Sequence, residues 1–211
     1  MPGLRIPLTA DAQLFATAAA LGRTVIWLHS FGERFADAAN GCPASAPRLA
    51  PEVAPRVPAA GAIPQDPAAM PDEIGYDAAN RRLLIGSGFI DNILPAMWRY
   101  EVSGKQVLRQ WFSYRKANRE RPIIGDRRPP SKLGDIQPDS WLAEYTSELL
   151  NVLHVLGRLV AIEPEQAALL EQICAGPTLS VETLRAAGAF GAAAAIRTTA
   201  INTEAQLRLI E

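Results

Sequence analysis

Eight of the chain's seventeen prolines fall between residues 42 and 71, interleaved with alanines. Proline removes a backbone donor and fixes φ, so neither a long helix nor a central strand can cross such a stretch. Whatever core forms must be assembled from the chain on either side of it. The segment reads as a linker or long surface loop, a spacer with no chemistry of its own. It divides the 211 residues into an N-terminal helical segment (1–41), the proline-rich stretch (42–72), a core (73–177) and an alanine-rich extension (178–211).

Residues 10–37 carry apolar side chains at three- and four-residue steps: Leu14, Ala18, Leu21, Val25 and Leu28. This spacing predicts a helix capped by Thr9 or Asp11 and ended by Gly32 or by Asn40-Gly41. Beyond the prolines, Ile74-Gly-Tyr76 and Leu83-Leu-Ile85 flank the turn-prone Asp77–Asn80, and Gly86-Ser-Gly88 turns the chain into Phe89-Ile90. That is a short antiparallel unit. Tyr100–Ser103 reads as one more strand, stopped by Gly104. Ser103 and Gln106 have the spacing of a capping box, which predicts a helix over 105–116. Residues 139–160 have the clearest amphipathic pattern, with Glu163-Pro164 expected to separate them from a second helix over 164–174. The fold class is α+β: a small antiparallel sheet packed with several helices.

Hydrophobic residues make up 48% of the chain, which suits a packed core rather than disorder. The formal net charge is −1, so any electrostatic attraction to nucleic acid must be local. The two cysteines, Cys42 and Cys174, lie far apart and lack metal-ligand spacing, which points to the cytoplasm rather than to a disulfide framework. No signal peptide and no membrane span is expected.

Local charge is concentrated in one place. Lys105 to Lys132 holds nine Lys or Arg against two acidic residues. On a helix, Lys105, Arg109 and Lys116 would fall within about 40° of one another, with Val107, Leu108 and Trp111 on another face. Such a surface suits a phosphate backbone, and an exposed arginine can read guanine edges. The same pattern also fits a solvated face or internal ion pairs. Trp111 and Tyr114 lie among these cations and can stack on bases, although Trp111 sits on the apolar face; Trp27, Trp98 and Trp141 read as core. His154 is placed on a polar helix face, as a surface or partner residue.

Catalytic patterns are sparse. His29 and Ser30 are neighbours and cannot face each other on a helix. Asp135 and Asp139 read as turn and cap residues. There is no phosphate-gripping G-x-x-x-x-G-K-[ST]. Arg128-Pro-Pro-Ser131 lacks both the polar first residue and the aromatic last residue of the Asn/Asp-Pro-Pro-Tyr motif of amino-methyltransferases.

Tyr100-Glu-Val-Ser-Gly-Lys-Gln-Val-Leu-Arg-Gln-Trp-Phe-Ser-Tyr-Arg115 resembles the V-x-G-x-x-V-L-x-x-W-x-x-x-R segment of C-terminal specificity domains in single-polypeptide restriction-modification enzymes. The series Arg5-Ile-Pro-Leu-Thr, Trp27-Leu-His-Ser-Phe-Gly-Glu-Arg34, Ile124-Gly-Asp-Arg-Arg-Pro-Pro-Ser131, Asp135-Ile-Gln-Pro138, Trp141, Glu144-Tyr-Thr146 and Glu148–Arg158 is similar to the type ISP group over about residues 4–177. The resemblance implies a recognition domain without catalytic residues of its own. Its partners would be double-stranded DNA and a parent polypeptide carrying nuclease, helicase-like ATPase and N6-adenine methyltransferase parts. S-adenosylmethionine, ATP and Mg²⁺ would serve that parent, and this chain would bind no cofactor or metal. Charge and resemblance together nominate Lys105, Arg109, Arg115, Lys116, Arg119 and Arg121 for phosphate contact, with Arg127 and Arg128 entering a groove. The alternative is a protein-interaction fragment that docks on a methyltransferase or helicase core through an exposed apolar face near residues 10–37.

Overall fold

A computed structural model describes residues 6–117 and 138–189. The chain divides into a larger compact unit, Leu21–Glu165, and a smaller one, Met1–Ala20 with Gln166–Glu211.

Helix α1 spans Ala12–His29. Asp11 caps it, its Oδ1 accepting from the backbone N–H of Gln13 (2.7 Å) and Leu14 (3.0 Å). The helix ends well short of the expected residue 37, in a left-handed turn at Phe31 and Gly32. Phe31 already leaves the helical path at φ +52° and Gly32 follows at +90°, its N–H donating back to the Trp27 carbonyl at 2.9 Å. A Cβ at Gly32 would meet the Ser45 carbonyl oxygen at 2.1 Å, so the returning chain lies directly against this backbone. Residues 33–42 continue as turns, closed by a bridge between Asp37 and Cys42.

The proline-rich segment contains only short 3-10 turns, Ala59–Gly61 and Pro67–Ala69. It is nonetheless packed: Cys42, Pro47, Pro55 and Gly61 are buried, and Val57, Ile63 and Met70 rest on the core. Prolines serve here because a strap over a core needs few backbone donors. Among those it has, the Arg56 N–H donates to the Asp91 carbonyl (3.3 Å), and the Arg56 carbonyl accepts the Asp91 N–H in return (2.8 Å).

Strands β1 (Ile74–Asp77), β2 (Arg82–Ile85) and β3 (Gly88–Ile90) form the expected antiparallel sheet in the order β1-β2-β3. Ile74 pairs with Ile85, and Leu83 pairs with both Tyr76 and Ile90. Leu83 and Ile85 are fully buried while Leu84 between them faces outward, the period of two expected of a half-buried sheet. Asp77 holds the β1–β2 turn. Its hydrogen bonds from the Asn80 side chain and backbone keep its carboxyl below the usual range.

After the short helix α2 (Pro95–Arg99), a two-residue hairpin forms where one strand and a capping box were expected: β4 (Glu101–Val102) pairs with β5 (Lys105–Gln106). Ser103 and Gly104 have φ of +52° and +74°, a turn with both central residues left-handed, which suits a two-residue hairpin. Ser103 is therefore a turn residue rather than a cap. The Gln106 side-chain amide donates to the Trp98 carbonyl instead of reaching back to Ser103. Helix α3 is accordingly Val107–Ser113, shorter than the expected 105–116.

Helix α4 runs unbroken over Ala143–Ala175 with Pro164 inside it, where two helices were expected. A proline costs an internal helix one hydrogen bond and strains the preceding turn. Apolar burial before it, at Leu156 and Leu159, and after it, at Leu169 and Ile173, offsets that cost. The core of the larger unit joins Trp27, Leu28, Leu83, Ile85, Ile90, Leu108, Phe112, Trp141, Leu149 and Leu153. Trp141 packs edge-on against Tyr145 and Trp111, and its indole N–H donates to Thr146 Oγ1 at 2.9 Å. In the smaller unit, Thr9 and Thr178 form a bridge, and a short α5 (Val181–Ala186) is capped by Ser180.

Candidate nucleic-acid interface

The sheet's lead-in and α3 form two walls of a groove of about 370 Å³ lined by Asp72, Glu73, Ile74, Arg109, Phe112, Ser113 and Lys116. Backbone hydrogen bonds fix both walls. The Ala117 N–H, just past α3, donates to the Pro71 carbonyl at 2.8 Å, and the Gly86 N–H donates to the Glu73 carbonyl at 3.1 Å. Gly86 adopts φ +53°, and a Cβ there would crowd Pro71 at 3.2 Å, so the turn and the acidic wall are built together. Leu108 and Phe112 anchor α3 in the core. Arg109, Ser113 and Lys116, at helical three- and four-residue steps, are thereby presented to the groove.

The sequence-nominated cations have different environments. Lys105 is exposed on β5, not on α3, because the hairpin takes the residues that the capping box would have given to the helix. The single cationic helix face of Lys105, Arg109 and Lys116 is thus not formed, although Arg109 and Lys116 still meet at the groove. Arg109 is exposed and lies over the Trp98 ring at 4.9 Å. Arg115 is engaged within the fold. It pairs with Glu148 at 2.9 Å, donates to the Trp111 carbonyl at 3.1 Å, and lies over the rings of Trp111 (4.1 Å) and Tyr145 (5.5 Å). Arg119, Arg121, Arg127 and Arg128 lie outside the described residues.

Among the aromatics, Trp27 and Trp141 are core, as expected, while Trp98 is half-buried and stacks on Tyr76 at 5.8 Å. Trp111 is half-buried too, against Trp141. Tyr114 is 66% exposed, and its hydroxyl receives the Gln110 amide at 2.6 Å, which leaves the ring free to stack.

Two residues of the groove, Asp72 and Glu73, escaped the sequence reading. They stand in the lead-in to β1, far in sequence from α3, and only the closure of the sheet onto the helix brings them beside Arg109 and Lys116. Among the described residues, none of these four charges is in an ion pair; the two pairs present are Arg82–Asp91 and Arg115–Glu148.

His154 corrects another expectation. It is half-buried rather than a surface residue, and its Nδ1 accepts the Leu49 N–H at 3.0 Å. Burial, with the nearby Arg48 charge, lowers its pKa. His29 and Ser30 make no nucleophile–base pair: the Ser30 hydroxyl donates to the Trp27 carbonyl and accepts from the Arg34 N–H. Among the described residues no cluster of three His, Cys, Asp or Glu is placed to hold a metal ion, and no helix is long and apolar enough to cross a membrane.

Compared with models of known families, residues 1–151 match the type ISP C-terminal specificity domain. The matched span ends within α4, short of the residue 177 reached by the motif resemblance. No curated protein and no solved structure matches the chain.

Proposed function

Because the chain belongs to the type ISP C-terminal specificity domain family, whose role is target recognition in restriction-modification, we propose that it reads a specific sequence in double-stranded DNA. On this reading it acts for a larger parent enzyme that methylates adenine or cleaves, and it takes no part in the chemistry itself. The single observation that carries the proposal is the groove beside α3. There Arg109 and Lys116 stand outside any ion pair among the described residues, within the stretch where the sequence concentrates its positive charge.

Cations of this kind supply phosphate contacts that position a protein on a duplex. Lys105 on the hairpin and the exposed Tyr114 ring border the same helix and extend the surface. Arg119, Arg121, Arg127 and Arg128 continue the cationic stretch in sequence, Arg127 and Arg128 being the candidates for base reading. Arg115 has a different part: just past α3, its guanidinium pairs with Glu148 of α4 and serves the fold. S-adenosylmethionine, ATP and Mg²⁺ belong on this reading to the parent's other domains, and no residue of this chain is assigned to them.

One observation favours a second reading. On α1, within the larger unit, Ile26 is 43% exposed, and just past it Phe31 is 43% and Phe35 52% exposed. Such residues suit docking on a methyltransferase or helicase core.

The deciding experiment is selection of a randomised duplex library on the full chain at low and at moderate salt, with an Arg127→Ala/Arg128→Ala variant alongside. Target reading predicts enrichment of one sequence motif, and affinity that falls steeply as salt rises. Loss of the motif in the variant would place base reading at those arginines. If no duplex binds even at low salt, autonomous DNA recognition is wrong and the docking reading replaces it.

A further inference from the structure

We propose that Asp72 and Glu73 are specificity-determining residues that accept a hydrogen bond from the exocyclic amine of a cytosine, while Arg109 and Lys116 hold the flanking phosphates. This rests on the duplex-recognition reading above and goes further by assigning one base. Four charges of both signs line one groove with buried Phe112 beside them, and among the described residues none of the four is in an ion pair.

Carboxylates on a phosphate-binding wall are a cost, since DNA repels them. Their position there is not slack in the chain, because the hydrogen bonds Pro71–Ala117 and Glu73–Gly86 hold the acidic wall to α3 and to the sheet. Arg109 is drawn over the Trp98 ring, so it does not neutralise the acids from within.

An ionised carboxylate accepts hydrogen bonds and cannot donate them. In the major groove, guanine shows only acceptors, and thymine an acceptor and a methyl group. Adenine sets its N7 acceptor beside its amine, whereas cytosine presents its N4 amine alone. The base whose edge best suits an acceptor-only side chain is therefore cytosine. A metal ion is the other chemistry that two carboxylates suggest, but no third ligand stands with them among the described residues.

The experiment repeats the duplex selection with the wild-type chain, Asp72→Asn, Glu73→Gln, the doubly substituted Asp72→Asn/Glu73→Gln chain, and Arg109→Ala/Lys116→Ala. Both acidic residues are exposed, so the amide variants should melt at the wild-type temperature. The wild type is expected to enrich a motif with a cytosine at one position. There the double amide variant should lose about tenfold of the preference, or turn to adenine, the base that Asn and Gln pair with bidentately. Arg109→Ala/Lys116→Ala should bind every sequence more weakly with the motif unchanged. An unchanged cytosine preference in the amide variants, or uniform tightening on every duplex, would overturn the inference and leave the recognition reading standing. A wild type that enriches nothing would overturn both.

Discussion

Arg48 of the proline-rich strap and Arg158 of α4 are opposite in use to the cations beside α3. Arg48 donates to Asn151 at 2.5 Å. Arg158 lies over Trp27 at 5.4 Å and reaches the carbonyls of Arg48 (3.4 Å) and Gly41 (3.5 Å). On that side, charge fastens an irregular segment whose backbone cannot fasten itself into a ladder. Beside α3, Arg115 has acceptors in the Trp111 carbonyl and Glu148, while Arg109 has the Trp98 ring alone. Lys105, Arg109 and Lys116 are left without an ion pair among the described residues. A count of basic residues cannot separate the two classes; what separates them is whether the fold supplies an acceptor.

The contrast breaks most visibly at Trp27. Its ring is fully buried beneath Arg158, and its indole N–H donates to the Pro43 carbonyl at 2.9 Å. Trp27→Ala should cost about 3–5 kcal/mol, read as a lowered urea midpoint, with the strap opening to proteolysis. If the strap were a spacer, cleavage between residues 42 and 71 would be equally rapid in the wild type.

A smaller effect is expected at Gly157, where a Cβ would meet Leu49 of the strap at 2.5 Å. Gly157→Val should destabilise by about 1–3 kcal/mol through overpacking, again measured by denaturant unfolding. An unchanged midpoint would mean that the strap does not press on α4.

The His154 contact gives a pH dependence with a definite sign. Its folded pKa is lowered, so the unfolded chain binds the proton more readily. The contact's contribution is full above the unfolded value of about 6.5 and is lost as pH falls through the lower folded value. The urea midpoint should therefore fall on going from pH 7.5 to 5.5, and fall less in His154→Gln. Equal slopes in the two proteins would refute the strap contact.

The smallest stability effect belongs to the groove. Arg109→Ala/Lys116→Ala should change stability by no more than about 0.5 kcal/mol per site, in contrast to Arg48→Ala/Arg158→Ala. A large loss of stability would place the groove cations in the same class as the strap's.

How much of this is legible in the sequence follows from the range of the interactions. The sheet is legible because alternation at Leu83, Leu84 and Ile85 and the Asp77–Asn80 turn are local signals. Helix α1 is legible in kind but not in length, since it ends in the left-handed turn Phe31-Gly32, and Ser45, thirteen residues past Gly32, packs against that turn. The α3 region misleads because Ser103-Gly104 fits both a capping box and a hairpin turn. The pairing of Glu101 with Gln106 and the bond from Gln106 to the Trp98 carbonyl decide between them. Pro164 announces its local cost, while the apolar burial on both sides that keeps α4 whole is not local. At the site, Arg109 and Lys116 are found by charge alone. Asp72 and Glu73 are not, because nothing near them in sequence announces that β1's lead-in will lie against α3.

The most direct test of the division between fastening and DNA-facing cations is the salt dependence of duplex binding for two double variants beside the wild type. Arg109→Ala/Lys116→Ala should lower the slope of log affinity against log salt by about two, one for each phosphate that is no longer neutralised, with the unfolding midpoint unchanged. Arg48→Ala/Arg158→Ala should lower the midpoint and leave the slope as it was. If the groove variant keeps the wild-type slope, or the strap variant shows as large a fall in it, the cations beside α3 are not the DNA-facing set and the account fails.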